Sequence, residues 1–128
     1  MKRVTGIGGV FFQADDPEKL YQWYEKHLGI QREPHGGGAM MHWREAEDPE
    51  RRGMTVWALF KKRDPYFDPS TSPLMLNYRV DNLDALLEAL RAEGVTIDPK
   101  REDHDYGRFA WIIDPEGNKI ELWEPPKT

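Results

Sequence analysis

Catalysis needs groups that donate, accept or ligate, and this chain lacks the most reactive of them. It has no cysteine, which removes thiolate nucleophiles, thiolate metal ligands and disulfides together. Its four histidines are His27, His35, His42 and His104. His27 falls near the end of a predicted helix, where the dipole favours a protonated imidazole. His35 precedes Gly36-Gly37-Gly38, and His104 stands among Glu102, Asp103 and Asp105, so both read as exposed loop residues. His42 lies on a predicted strand, and no metal-binding motif joins the four. That leaves Glu121, in the run Lys119-Ile120-Glu121-Leu122-Trp123. A carboxylate among indoles resists ionisation and can serve as a general acid or base. The same carboxylate paired with Arg79 or Lys119 would be purely structural. Arg108, in the loop opened by His104, reads either as an anion receptor or as an exposed arginine capping a strand.

The bulk numbers bound the answer without specifying it. The chain has 128 residues, 38% of them hydrophobic and 32% charged, with a net charge of −5. This fits one domain that buries roughly two-thirds of its unfolded surface. The negative balance argues against nucleic acid and anionic membrane partners. No apolar run approaches the ~20 residues of a membrane span and no signal-peptide pattern opens the chain, so a cytoplasmic protein is expected.

What positions these residues is an internal repeat. The segment from Gly9, GVFFQADDPEKLYQWY, lies over that from Met75, MLNYRVDNLDALLEAL. Asp15 then matches Asp81, Asp16 matches Asn82 and Leu20 matches Leu86. Further on, Asp48-Pro49-Glu50 matches Asp114-Pro115-Glu116, and after a short insertion Gly53 meets Gly117 and Val56 meets Ile120. In each half a strand precedes a helix. Asp16 is an N-cap with Pro17 at the first helical position. Leu20, Trp23, Tyr24, His27 and Leu28 share one helical face, and Gly29 suits a left-handed end. In the second half Asn82 caps, Leu83, Leu86, Leu87 and Leu90 form the stripe, and Gly94 ends it. Hairpins follow: Phe109–Ile113 with Lys119–Trp123 across Asp114–Asn118, and Met40–Arg44 with Met54–Phe60 across a charged loop. Residues 64–73, with Pro65, Pro69 and Pro73, read as the connection. The expected fold is α+β: two βαβββ modules, residues 1–64 and 74–128, in one domain.

Three stretches, DPEKLYQWYEKHLGI, YRVDNLDALLEALRAEGV and DPEGNKIELWEP, together resemble the glyoxalase / bleomycin-resistance / extradiol-dioxygenase (vicinal oxygen chelate) superfamily over essentially the whole chain. The resemblance implies a curved mixed sheet around a central cleft. It also implies four inward-facing His, Glu or Gln ligands, from the first, fourth, fifth and eighth strands, holding a divalent ion. Carried over by residue, those positions are Gly9, Trp57, Met75 and Glu121. Such a set does not suit Zn²⁺, Ni²⁺, Mn²⁺ or Fe²⁺, which want three or more His, carboxylate or thiolate donors. No metal and no cofactor are therefore expected. Trp111 stands where related ring-cleaving dioxygenases place a catalytic tyrosine, and an indole supplies no phenolic proton.

Strand alternation assigns the faces. Val10, Phe12, Val56, Ala58, Phe60, Leu76, Tyr78, Val80, Ile120 and Leu122 are expected under the helices. Gly9, Phe11, Gln13, Thr55, Trp57, Leu59, Met75, Asn77, Arg79, Lys119, Glu121 and Trp123 are expected in the cleft, with Trp111 and Trp43 from neighbouring strands. The aromatics either contact a ligand or fill the concavity or a subunit contact. Gly9, lacking a side chain, would open space. Two functions follow. One is metal-free sequestration of a small aromatic or apolar molecule, as in the bleomycin-resistance branch, by Gly9, Phe11, Gln13, Trp43, Trp57, Met75, Asn77, Arg79, Arg108, Trp111 and Glu121. The alternative is a lyase, isomerase or dioxygenase with Glu121 as catalytic base and an unorthodox metal or none. A homodimer is expected, because a concavity bearing Trp43, Trp57, Trp111 and Trp123 is a large apolar patch for a monomer.

Overall fold

Asp16 and Asn82 open the two helices as their residue types predict. A computed structural model of the chain describes residues 2–127. In it the Asp16 carboxylate accepts the Lys19 N–H at 3.1 Å, and the Asn82 side chain accepts the Ala85 N–H at 3.0 Å. Each cap satisfies an N–H that the helix itself cannot pair. Helix α1 runs Pro17–Leu28 and ends at left-handed Gly29 (φ 70°). Helix α2 runs Leu83–Ala92, with left-handed Gly94 (φ 80°) just beyond it.

The strands are β1 Val4–Ala14, β2 Ala39–Arg44, β3 Arg52–Lys61, β4 Leu74–Val80, β5 Thr96–His104, β6 Gly107–Ile113 and β7 Lys119–Glu124. They form one curved mixed sheet in the order β2-β3-β1-β4-β7-β6-β5. The pairs β1–β3 and β4–β7 are parallel; β1–β4, β2–β3, β5–β6 and β6–β7 are antiparallel. The α+β class and the mixed sheet are as the sequence implies. The repeat is visible in the central register, where Gly9 faces Asn77 and Phe11 faces Met75. A two-fold relation that puts Gly9 on Met75 also puts Phe11 on Asn77, and it exchanges those two pairs.

The first module differs from expectation by one strand among the described residues. Only β2 and β3 follow α1, whereas β5, β6 and β7 follow α2. The segment between α1 and β2 turns back on itself, with the Glu33 N–H donating to the Gly38 carbonyl at 2.8 Å. Gly36, Gly37 and Gly38 all have φ between 81° and 88°, a left-handed run that cannot extend as a strand and that only glycine adopts freely.

Three apolar clusters hold the sheet. Under α2, Leu83, Leu86 and Leu87 pack on Val80, Ala110 and Leu122. Under α1, Leu20, Tyr21 and Tyr24 pack on Val10, Phe12, Trp57 and Leu59. On the opposite face Phe11, Ala58, Met75 and Trp111 surround Phe67. Phe67 belongs to a short 3₁₀ helix, Pro65–Phe67, inside the segment that reads as a connection. Asp64 caps it by accepting the Tyr66 N–H at 2.9 Å, and Phe67 is 1% exposed. The connection is part of the core.

Phe67→Ala should therefore destabilise the protein by about 3–5 kcal/mol, the cost of deleting a buried ring. A linker residue would stay within about 0.5 kcal/mol. Urea unfolding, read as a fall in midpoint at constant m, distinguishes the two.

Candidate functional site

The cleft face is fixed by register. Gly9, Phe11 and Gln13 on β1 lie beside Val56, Ala58 and Phe60 on β3, and Asn77 on β4 lies beside Glu121 on β7. Trp111 on β6 is opposite Glu121, and Phe109 is opposite Trp123. This corrects the expected facing of β3. Val56, Ala58 and Phe60 point into the cleft, while Trp57 and Leu59 pack under α1. Trp57 lies edge-on to Phe12, Tyr21 and Tyr24, with the nearest ring centroid at 4.8 Å, and it is not a cleft residue. The repeat also assigns Ala58, not Trp57, as the counterpart of Glu121, since the pair Asn77–Glu121 maps onto Phe11–Ala58.

Glu121 is 2% exposed, and a carboxylate so placed must be hydrogen-bonded. Its Oε1 accepts from Asn77 Nδ2 at 2.5 Å, and its Oε2 accepts from Trp111 Nε1 at 3.0 Å and from the Tyr66 hydroxyl. All three donors are neutral. Lys119 supplies the nearby positive charge; its Nζ donates to the Tyr66 carbonyl at 2.8 Å and lies over the Tyr66 and Trp111 rings. Burial pushes the Glu121 carboxyl above its ordinary value, against the downward pull of the three hydrogen bonds and Lys119. Burial and the adjacent Glu121 charge also push the Tyr66 hydroxyl up, so it remains a donor. Tyr66 was not legible as a site residue. Asp64-Pro65, a cap followed by a first-turn proline, was the available signal that this aromatic pair sits in an ordered turn.

Tyr66 and Phe67 fill the depth of the cleft. Tyr66 stacks on Phe60 with centroids 5.6 Å apart and meets Trp111 edge-on. Met75 and Trp111 are each 1% exposed. Gly9 opens no space: a Cβ there would lie 2.7 Å from the Phe11 ring. At Gly8 a Cβ would lie 2.2 Å from Asn77 Oδ1, a buried acceptor with no partner. Gln13 is half-buried, and its side chain accepts the Arg63 N–H at 3.3 Å.

Toward the other end of the face, Arg79 lies over Trp43 at 5.5 Å and over Trp123 at 5.1 Å from the ring centroids. The Trp43 indole covers Gly6 and Gly53 and donates to Thr55 Oγ1 at 2.9 Å. Phe109 continues the row, stacked on Trp123 at 6.0 Å. Arg108 does not join the site. It is exposed on the helix side and reaches Asp84, in the first turn of α2, at 3.3 Å.

The four positions at which the family implies metal ligands are thus Gly9, Ala58, Met75 and Glu121. They do not fit a divalent ion. Only Glu121 carries an oxygen donor, and both its oxygens are already engaged. Among the described residues no three His, Cys, Asp or Glu side chains cluster as a metal site.

Glu121, its pKa raised in the folded state, contributes stability that is present below the ordinary glutamate value and is lost as pH rises through the folded value. The melting temperature of the protein relative to Glu121→Gln should therefore fall as pH climbs above about 4.3, the unperturbed value. A pH-independent difference would show an ordinary ionised carboxylate.

Among solved structures, the chain is similar to methylmalonyl-CoA epimerase from Mycobacterium tuberculosis, with 23% identity and TM-score 0.59 over 99% of this chain and 92% of that one. It is also similar to a variant of the Streptomyces coelicolor methylmalonyl-CoA epimerase in complex with 2-nitronate-propionyl-CoA, with 14% identity and TM-score 0.68 over 97% and 99% of the two chains. A Legionella pneumophila structure described as NAD-dependent benzaldehyde dehydrogenase gives 14% identity and TM-score 0.57 over 92% and 98%. At these identities the likeness is one of fold. No curated protein matches the sequence. The sequence model of the Glyoxalase/Bleomycin resistance protein/Dioxygenase superfamily matches residues 6–122, and the chain belongs to that superfamily.

Proposed function

We propose that this protein binds a small aromatic or apolar molecule on the concave face of its sheet without a metal. The observation that carries this reading is the state of Glu121. Its oxygens are taken by Tyr66, Asn77 and Trp111, and Gly9, Ala58 and Met75 stand where the other ligands would be. A carboxylate so enclosed acts as a scaffold for the cleft wall; a catalytic base must reach its proton within about 3 Å. Beyond the 3₁₀ helix, half-buried Trp43, Arg79 and Phe109 form a row with Trp123, a largely aromatic surface with one cation.

A thermal-shift screen of aromatic compounds tests the reading. A true ligand at about 100 times its Kd raises stability by roughly 2.7 kcal/mol, and EDTA should leave that shift unchanged. Glu121→Gln should retain it. A shift that EDTA abolishes, or one restored only by Zn²⁺ or Mn²⁺, would overturn the metal-free reading.

The expected homodimer now rests on different residues, because Trp57, Trp111 and Trp123 are buried within the chain. Val4, Ile7 and Leu74 are 40–43% exposed. They lie on the helix-side face of β1 and β4, paired with Val80, Tyr78 and Phe12 respectively. The two helices leave this central strip uncovered, and a second copy applied about a two-fold axis would cover it isologously. Sedimentation should show a dimer at micromolar concentration that Ile7→Asp converts to monomer. A 15.0 kDa species in the unsubstituted protein would count against it. We place the protein in the cytoplasm; among the described residues no helix is long and apolar enough to cross a membrane.

A further inference from the structure

The cation in the concave face is short of a partner. Arg79 stands on β4, between Trp43 on the β2 side and Trp123 on the β7 side of the strand order. Its guanidinium makes no hydrogen bond or ion pair with any described residue. The two carboxylates whose charge reaches it are paired with Arg51, Glu45 at 2.9 Å and Asp81 at 2.8 Å. Burial beside the indoles holds Arg79 below the usual arginine value, against the upward pull of the Glu45 and Asp81 charges, as expected of a cation taken partly out of water without a hydrogen-bonded partner.

An arginine here has an evident structural use, since its stem covers the hollow over Gly8, where a Cβ would sit 2.9 Å from Arg79 Cγ. That packing needs the methylenes and not the charge. The guanidinium carries five N–H donors in a planar fork. With an indole on either side, a ligand meets it along the N–H edge, the geometry that suits a carboxylate accepting two parallel hydrogen bonds. A flat ligand body lying in that same direction would run along the indole surfaces.

We propose that Arg79, flanked by Trp43 and Trp123, anchors an anionic planar ligand, an aromatic or conjugated carboxylate whose carboxylate takes the guanidinium edge. This rests on the reading that the concave face binds small molecules, and it names the chemical class.

The test compares 2-naphthoate with its neutral isostere 2-naphthamide by isothermal titration calorimetry on the full chain. Naphthoate should bind at least about tenfold more tightly, as a charge-assisted bidentate contact allows, and its affinity should fall with added salt while that of the amide does not. Arg79→Met keeps the covering stem and should erase the preference. Arg79→Lys, which keeps the charge but not the fork, should retain part of it, and this decides the matter if the methionine variant folds poorly. Equal affinity for the two probes, or unchanged naphthoate affinity in Arg79→Met, overturns the anionic anchor while leaving small-molecule binding standing. No heat from either probe overturns the anchor as well. If in addition no member of the aromatic screen shifts the melting temperature, the binding reading falls with it.

Discussion

A carboxylate placed in a protein interior must find donors or become neutral, and Glu121 is where this protein meets that constraint. Isolated in an apolar medium, the charge would cost many kcal/mol. Three side chains from three other parts of the chain supply donors: Asn77 from β4, Trp111 from β6 and Tyr66 from the connection. The Tyr66 contact has the widest effect. It draws the 3₁₀ helix onto the sheet, Lys119 fixes the helix backbone through the Tyr66 carbonyl, and Phe67 enters the apolar cluster beside it. The depth of the concave face is thereby closed by the chain's own residues. Beyond it lies the aromatic row around Arg79.

The residues that cap the helices were legible because capping is local: Asp16 and Asn82 act within three residues of their own position. The pairing of the two modules was legible because the repeat carries it, and the register of Gly9 with Asn77 shows the same symmetry. The facing of β3 was not legible, for a definite reason. Alternation reveals a strand's orientation only when one face is polar, and Val56 through Phe60 is apolar on both faces. One slides under Phe11 and Met75 and the other under α1. Only the pairing with β1, a long-range fact, decides between them.

Glu121 stood out in the sequence by its surroundings, while its partners were divided between the legible and the hidden. Asn77 and Trp111 follow from strand alternation, whereas Tyr66 comes from a proline-rich stretch whose composition signals a loop. Arg108 and Arg79 show the opposite risk. Both are arginines near aromatic residues in sequence, but β6 alternation sends Arg108 to the helix side and Asp84, while β4 alternation keeps Arg79 in the cleft between two indoles.

The central position of β1 has a consequence for synthesis. The strand is made before both its neighbours, β3 and β4, which lie downstream in the chain. A nascent chain leaving the ribosome therefore exposes an eleven-residue strand, VTGIGGVFFQA, with neither edge paired until β3 has emerged and one edge open until β4 follows. Contacts of such separation form late, and an apolar strand with open edges templates intermolecular pairing while it waits. The bulges between Val4 and Gly6 and between Ile7 and Gly9 interrupt the regular ladder in its first half, which limits the length of strand that a stray partner can match.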